Sequence, residues 1–286
     1  MRSGFATLIG RPNVGKSTLL NTILGTKVSI VSNKVQTTRT QVRGVLNRRS
    51  GKDGEITSQT VFVDTPGIHK PHGAFGSRLN DTAREAARDV DVVCFVLDAT
   101  QSFGRGDRFV AEPLPKSSLV VVNKADIVSK DQMLMQLVAV SKALGFDEYF
   151  PVSAKSGKGV DALIEAIISR LPEGPQYYPD GTVTDVPEAF WVAELVREQL
   201  FRKLREELPH SLATRVTEWD WPRVRCEILV ERDSQKGIVI GKGGAVLKEV
   251  GTLVREQLPD GMYIELFVRV DKDWQRKAGT LEGLGY

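Results

Sequence analysis

The chain has 286 residues, 41% hydrophobic and 26% charged, the balance of a globular protein long enough for one large domain or two ordinary ones. Its formal net charge is only +3, and acidic residues outnumber basic ones from Gln176 onward, so bulk attraction does not argue for a nucleic-acid partner. No apolar run approaches the roughly 20 residues of a membrane-spanning helix. The run Phe5–Ile9 is too short for a signal-peptide core and leads into Gly-Arg-Pro, so a cytoplasmic protein is expected. The two cysteines, Cys94 and Cys226, stand in apolar runs without a neighbouring ligand set and read as buried, reduced thiols.

In chain order, about the first 170 residues alternate strand and helix patterns, as in a doubly wound α/β domain. Strand patterns occur at Ala6–Ile9, Val42–Leu46, Thr60–Val63, Val92–Leu97, Leu119–Val122 and Tyr149–Val152. Helical periodicity covers Lys16–Leu24, Leu79–Arg88, Gln132–Leu144 and Val160–Leu171. The polar stretch after Leu46, with Arg48, Arg49 and Lys52, reads as a solvated hairpin tip. Pro172–Pro187 holds four prolines and two glycines and cannot continue a helix. The expected organisation is therefore a domain over 1–172, a linker over 173–187 and a second domain over 188–286; the linker's paired tyrosines suggest that it packs against something. The second part opens on an amphipathic helix, Glu188–Glu207, followed by strands Ala213–Trp219 and Val224–Glu231. A short helical turn, a glycine loop, a helix to Leu258 and the strand Met262–Val270 complete it.

Gly10-Arg11-Pro12-Asn13-Val14-Gly15-Lys16-Ser17 fits G-x-x-x-x-G-K-[ST], between an apolar strand and a helix that continues through Thr18. Glycines let successive N–H groups face one anion, and the helix N-terminus adds partial positive charge. Lys16 is expected to reach the β- and γ-phosphates, and Ser17 to hold Mg²⁺. Asp64-Thr65-Pro66-Gly67 alone is ordinary turn composition. After a strand and downstream of such a loop, it supplies a carboxylate for Mg²⁺ and a Gly67 N–H for the γ-phosphate. Gln36-Thr37-Thr38-Arg39-Thr40 offers a further metal ligand, Thr38 before Thr37. Asn123-Lys124-Ala125-Asp126 follows another strand. Asp126 can accept from guanine N1–H and the 2-amino group, an arrangement adenine does not offer. Asn123 would brace that loop, the Lys124 stem would lie on the base, and Ser153-Ala154-Lys155 would give an N–H to O6. The set separates a GTP site from that of a P-loop kinase or ATPase, the competing enzyme class.

These motifs resemble the Era-type small GTPases. The resemblance rests on Gly10–Asn21, Gln36–Arg39, Asp64-Thr65-Pro66-Gly67-Ile68-His69 and the Asn-Lys-x-Asp loop, and runs to Leu284-Gly285-Tyr286. It implies an α/β P-loop GTPase domain followed by an α+β, type II KH RNA-binding domain. Val239-Ile240-Gly241-Lys242-Gly243-Gly244 fits that: a G-x-x-G loop lets a nucleic-acid backbone approach closely, with Lys236, Lys242 and Lys248 as a local positive patch. The resemblance further implies a monomer that binds the 3′ end of small-subunit ribosomal RNA and acts in assembly of the small ribosomal subunit. A peripheral contact with the inner face of the cell membrane comes with it, although no strongly basic amphipathic helix demands one. A rival class is an RNA-binding module whose nucleotide site is structural.

Ile68 stands where many signalling GTPases place a water-orienting Gln, so slow hydrolysis is expected, resting on Lys16, Thr38, Gly67 and Asn13. His69 and His72 are read as residues of a mobile surface switch and not as replacements. In related GTPases an Asn at the position of Asn13 accompanies a potassium ion, so K⁺ joins GTP/GDP and Mg²⁺ among the expected cofactors. Few residues precede the first strand, so a trimmed N-terminus is expected. Trp219 and Trp221 are read as hairpin packing, and Trp274, beside Lys272, Arg276 and Lys277, as the better RNA or domain contact, with core packing as its alternative.

Overall fold

A computed structural model of the protein describes residues 1–50, 54–71 and 73–286, so Lys52 and His72 lie outside the described residues. The chain forms two compact units: Met1–Ser29 with Thr38–Asp185, and Ile30–Thr37 with Val186–Tyr286. The first is built on strands β1 (Arg2–Gly10), β2 (Val42–Ser50), β3 (Glu55–Asp64), β4 (Val92–Asp98), β5 (Leu119–Asn123) and β6 (Glu148–Pro151). They form one sheet in the order β2-β3-β1-β4-β5-β6, with only the β2–β3 pair antiparallel. Helices α1 (Lys16–Leu24), α2 (Gly73–Arg88), α3 (Arg105–Ala111), α4 (Lys130–Leu144) and α5 (Val160–Arg170) connect or follow the strands. Every residue of β4 and β5 is buried, which is why these parallel strands read as unbroken apolar runs. Parallel strands deliver the loops after β1, β3 and β5 to one end of the sheet, where an open α/β sheet binds its ligand.

Among the differences from the sequence pattern in this unit, three have a clear local cause. β3 begins at Glu55, well before Thr60, because its first half alternates exposed and buried residues along the β2 hairpin. α2 starts at Gly73 rather than Leu79, since Phe75 and Gly76 are already buried. α3 has no counterpart in the sequence reading: seven residues are too few for a helical period to show, and Asp107 starts it by accepting the Gly104 N–H at 2.9 Å. Burial pushes the Cys94 thiol up to about 12, an inert core thiol like Cys226.

The Pro/Gly-rich stretch is strapped to this same unit. Gln59, fully buried on β3, accepts the N–H groups of Tyr177 and Tyr178 at 2.7 and 2.9 Å. Its amide donates to Tyr178 O and Asn47 Oδ1 at 3.0 and 2.9 Å. Tyr177 also meets Phe5 edge-on at 4.8 Å. The paired tyrosines thus pack as their composition suggested.

The second unit comprises α6 (Glu188–Lys203), β7 (Ala213–Asp220), β8 (Arg223–Val230), α7 (Asp233–Ile240), α8 (Ala245–Arg255), β9 (Tyr263–Val270) and α9 (Ala278–Gly283). Its sheet runs β7-β8-β9, antiparallel then parallel, and packs on α6, α7 and α8 through a core that includes Leu195, Leu200, Ile228, Val239 and Val254. α6 stops at Lys203, four residues before the expected Glu207, because Leu204 turns extended to stay buried. It is buried all round from Val192 to Phe201, and its polar residues find partners there. Glu198 accepts the Val31 N–H at 2.9 Å, and Arg197 donates to Thr37 O at 2.6 Å and pairs with Glu194.

Burial decides between the two readings of Trp274 and departs from the packing expected of the hairpin pair. Trp274 is 0% exposed, donates to Ser211 O at 3.0 Å and stacks beside Tyr286, so it is core and not an RNA contact. Trp219 and Trp221 are 38% and 57% exposed, so the hairpin tip does not bury them. The cause is the short C-terminal segment after β9, whose 3₁₀ turn and α9 fold Trp274 back onto the unit. Among the described residues no helix is long and apolar enough to cross a membrane.

Replacing Gln59 by Leu leaves two strap N–H groups without acceptors, each costing about 1–3 kcal/mol. Urea unfolding of Gln59→Leu should show a loss of about 2–3 kcal/mol with Tyr177–Tyr178 released; an unchanged midpoint would contradict this account.

Candidate functional site

The loop from Gly10 to Ser17 links β1 to α1. Gly15 caps α1 at φ 97°, a left-handed value, and a Cβ there would stand 2.3 Å from Asn123 Nδ2, so only glycine fits. Asn13 is exposed at φ 64°, on the outer turn of the loop. Lys16 is buried and reaches back to Gly10 O and Arg11 O, each at 3.2 Å, spanning the mouth of the amide nest. Burial pushes its ammonium down to about 8, against the pull of Asp64. A bound phosphate would reverse that, so the loop is an anion site held ready.

Asp64, at the end of β3, is the centre of the second cluster. Its Oδ2 accepts from Ser17 Oγ at 2.7 Å, Ser29 Oγ at 2.8 Å and Thr38 Oγ1 at 3.3 Å, and Ser17 and Thr38 stand 3.0 Å apart. Burial raises the carboxyl above its usual range, while Lys16 and the three hydroxyls pull it down. Its Oδ1 is buried with no hydrogen-bond partner among the described residues. Two hydroxyls and a half-satisfied carboxylate are hard oxygen donors of the kind Mg²⁺ takes. Thr37 turns the other way, to Ser32 Oγ at 2.6 Å and Lys34 O at 2.7 Å.

The neighbours in this loop set have distinct tasks. Thr65 donates to Leu8 O at 2.9 Å and ties the loop to β1 instead of facing a ligand. Pro66 is buried, and Gly67 lies against the backbone of Pro12. Ile68 donates its N–H to Gly10 O at 3.1 Å while its side chain enters the core with Val93, Phe95 and Val110. His69 is not on a loose surface: Asn80 brackets its backbone at 3.3 and 2.7 Å, and its Nδ1 lies 3.2 Å from Gly67 O.

Asn123 joins the phosphate loop to the base loops. Its Nδ2 donates to Val14 O at 2.8 Å and its Oδ1 accepts the Ala154 N–H at 2.9 Å. That spends the Ala154 amide, and Ser153 N–H goes to Lys158 O. Lys155 N–H is then the amide of the three that no acceptor among the described residues occupies. Asp126 is exposed and steadied by Ser153 Oγ at 2.7 Å. Thr22 of α1 reaches Ala154 O at 2.5 Å, while its contact at 3.0 Å with Thr18 O keeps Thr18 in the helix ladder.

In the second unit, Gly241 ends α7 at φ 74° and ψ 168°, and a Cβ there would meet Val246 at 2.6 Å. The 3₁₀ turn Lys242–Gly244 then leads directly into α8. Lys242, Gly243 and Lys248 are exposed, Lys236 is half-buried, and Ile240 packs on the core. None of the three lysines makes an ion pair among the described residues. Some acids of this unit are paired on the opposite sheet face, where Arg215 and Arg269 pair with Glu227, and Arg223 and Arg225 with Glu265. The basic loop is thus a local feature of a unit whose total balance is acidic.

A family model described as 50S ribosome-binding GTPase matches residues 5–124, and a KH-domain model matches residues 207–275. GTPase Era of Mycolicibacterium smegmatis is 45% identical over 302 residues, covering 100% of this chain and 99% of the relative. The chain belongs to the Era family of GTPases. Era of Heliobacterium modesticaldum is 43% identical, covering 100% of this chain and 97% of its own. A crystal structure of an Aquifex aeolicus Era variant bound to GDP and AlF₄⁻ shares 36% identity at a TM-score of 0.92, covering 100% and 99% of the two chains. A crystal structure of Era with MgGDPNP and nucleotides 1506–1542 of 16S ribosomal RNA aligns at 0.93 with 36% identity and the same coverage.

Several residues around the Era-type site were not visible as motifs. Ser29 gives Asp64 a third hydroxyl, and Arg11 reaches Asp107 of α3 at 3.4 Å. Asp98, at the end of β4, meets Lys124 Nζ at 2.6 Å. Burial pushes the Asp98 carboxyl up, but hydrogen bonds from Lys124 and Thr100 outweigh it and hold it below its ordinary value. The available signal was position: Asp98 ends a buried strand beside the one that carries Asn123.

With Asp126 as the expected guanine acceptor, Asp126→Ala removes two hydrogen bonds to a charged group, worth about 1.5–3 kcal/mol each. GDP affinity should fall at least about a hundredfold, and ATP should compete where it did not before. Retained selectivity for guanine in a competition titration would remove Asp126 from the base site.

Proposed function

We propose that this Era-family chain binds and slowly hydrolyses GTP, binds the 3′ end of small-subunit ribosomal RNA, and acts as a switch in small ribosomal subunit assembly. The observation that carries the nucleotide reading is the Asn123 amide, which holds the phosphate loop and the base loops in one frame. Lys16 and the amides of Asn13–Ser17 neutralise the β- and γ-phosphates, and Gly67 N–H faces the γ-phosphate. Ser17, Thr38 and Asp64 would hold Mg²⁺, which neutralises charge on the same oxygens. Ile68 is anchored in the core and offers no polar group to orient a water, so turnover is slow.

RNA binding is supported by the Gly241–Gly244 loop with its unpaired lysines, and by the relative solved with 16S ribosomal RNA. The G-x-x-G backbone clamps nucleotide phosphates, with Lys236, Lys242 and Lys248 supplying charge. Thr38 belongs to the metal cluster, and its neighbour Thr37 is held by Arg197 of α6 through the Thr37 carbonyl. A γ-phosphate that fixes Thr38 therefore pulls on a segment anchored to the RNA-binding unit, which favours a switch over a structural nucleotide site. The protein works in the cytoplasm as a monomer.

Thr38→Ala should lower GTP turnover by about ten- to a hundredfold, while Thr37→Ala, which leaves the Thr37 carbonyl in place, stays near wild type; equal losses would contradict the assignment. RNA affinity should differ between the GTP-analogue and GDP forms in an anisotropy titration, and identical curves would reject the switch. Turnover should be faster in potassium than in sodium buffer and lose that difference in Asn13→Ala. Equal wild-type rates in both salts would remove potassium from the mechanism.

A further inference from the structure

The end of the second sheet farthest along α8 from the glycine loop carries three exposed aromatic rings. Trp221 lies in the β7–β8 turn and Tyr263, 52% exposed, opens β9, while Trp219 stands on β7 opposite the buried Val224 and so faces the other side of the sheet from Tyr263. The turn and Tyr263 are tied together: Tyr263 N–H donates to Pro222 O at 2.7 Å, and Tyr263 lies in register with Arg223. Trp221 is the most exposed of the three rings.

A polar path joins this end to the glycine loop. α8 starts at Ala245, directly after Gly244, and ends at Arg255, about 15 Å further on. Lys248, Thr252 and Arg255 are exposed at spacings of four and three, one face of the helix. Thr252 bonds Lys248 O at 3.0 Å, Arg255 bonds Thr252 Oγ1 at 3.3 Å, and the Arg255 guanidinium lies 5.8 Å over the Tyr263 ring. Neither Lys248 nor Arg255 makes an ion pair among the described residues.

We propose that Trp221 and Tyr263 form a second RNA contact, a base-stacking platform for nucleotides of a single strand that leaves the glycine loop along Lys248, Thr252 and Arg255. It rests on the RNA-binding reading above. Stacking suits this place because every base has a π-face, and an arginine over an aromatic ring extends the same surface. Asp220, Glu256 and Asp260 are also exposed at this end, so it attracts phosphate weakly. Its contribution is therefore stacking, and should depend little on salt, unlike that of the lysines at the loop.

The test compares two fluorescein-labelled single-stranded RNAs from the 3′ end of small-subunit ribosomal RNA, one of five nucleotides and one of about twelve. Binding of each is measured by anisotropy to the full chain loaded with a GTP analogue. Trp221→Ala and Tyr263→Ala should bind the short RNA like wild type and the long one about tenfold more weakly, by the same factor at low and high salt. Lys242→Ala should weaken both and flatten the salt dependence. The long RNA should quench tryptophan emission in wild type, and the quench should be absent in Trp221→Ala; an unchanged melting temperature shows that the exposed ring was not structural. Equal long-RNA affinity in wild type and both variants, or no quench at saturation, overturns the platform and leaves the rings to another partner. If wild type binds neither RNA, the RNA-binding reading itself fails, and this inference fails with it.

Discussion

The Asp64 carboxylate is the point on which the nucleotide site turns. It is wholly buried, one oxygen accepts hydroxyls from three separate segments, and the other has no partner among the described residues. Ser17 comes from α1, Ser29 from the segment after it, and Thr38 from the loop before β2. A buried carboxylate is costly unless its charge is answered, so the cluster and Lys16 together create a demand for an anion and a cation at one place. A phosphate–metal pair meets that demand on both sides.

The same principle explains the second unit from the opposite direction. Several of its carboxylates are answered by arginines across the open face of the sheet, in pairs such as Arg223–Glu265 and Arg215–Glu227. An exposed pair such as Arg223–Glu265 adds little stability, but each pairing removes a negative charge from competition with the loop. Lys236, Lys242 and Lys248 are then available to a polyanion although the unit is acidic in total. Function here follows the placement of charge and not its sum.

Much of this was legible in the sequence because the chemistry is local. A phosphate nest needs glycines at fixed spacing, and a guanine reader needs a carboxylate just after a buried strand, so Gly10–Ser17 and Asn123–Asp126 could be read in order. The parallel core strands were legible too, as unbroken apolar runs. What escaped was set by partners distant in the chain. Asp98 looks like any strand-end acid until Lys124 is beside it, and Gln59 like any surface amide until the strap of Tyr177 and Tyr178 closes over it. α3 escaped because seven residues carry too little periodicity.

The tryptophans draw the boundary most clearly. Sequence alone determined the chemistry of the loops: which residues can cradle phosphate, accept guanine or admit a nucleic-acid backbone, since those abilities belong to a few neighbouring residues. It did not determine which large rings are covered. Trp274 sits among charges and is 0% exposed, while Trp221 sits in a hairpin and is 57% exposed. Burial depends on what the rest of the chain brings alongside, and only the tertiary structure, by folding the C-terminal turn inward and leaving the β7–β8 tip bare, decided it.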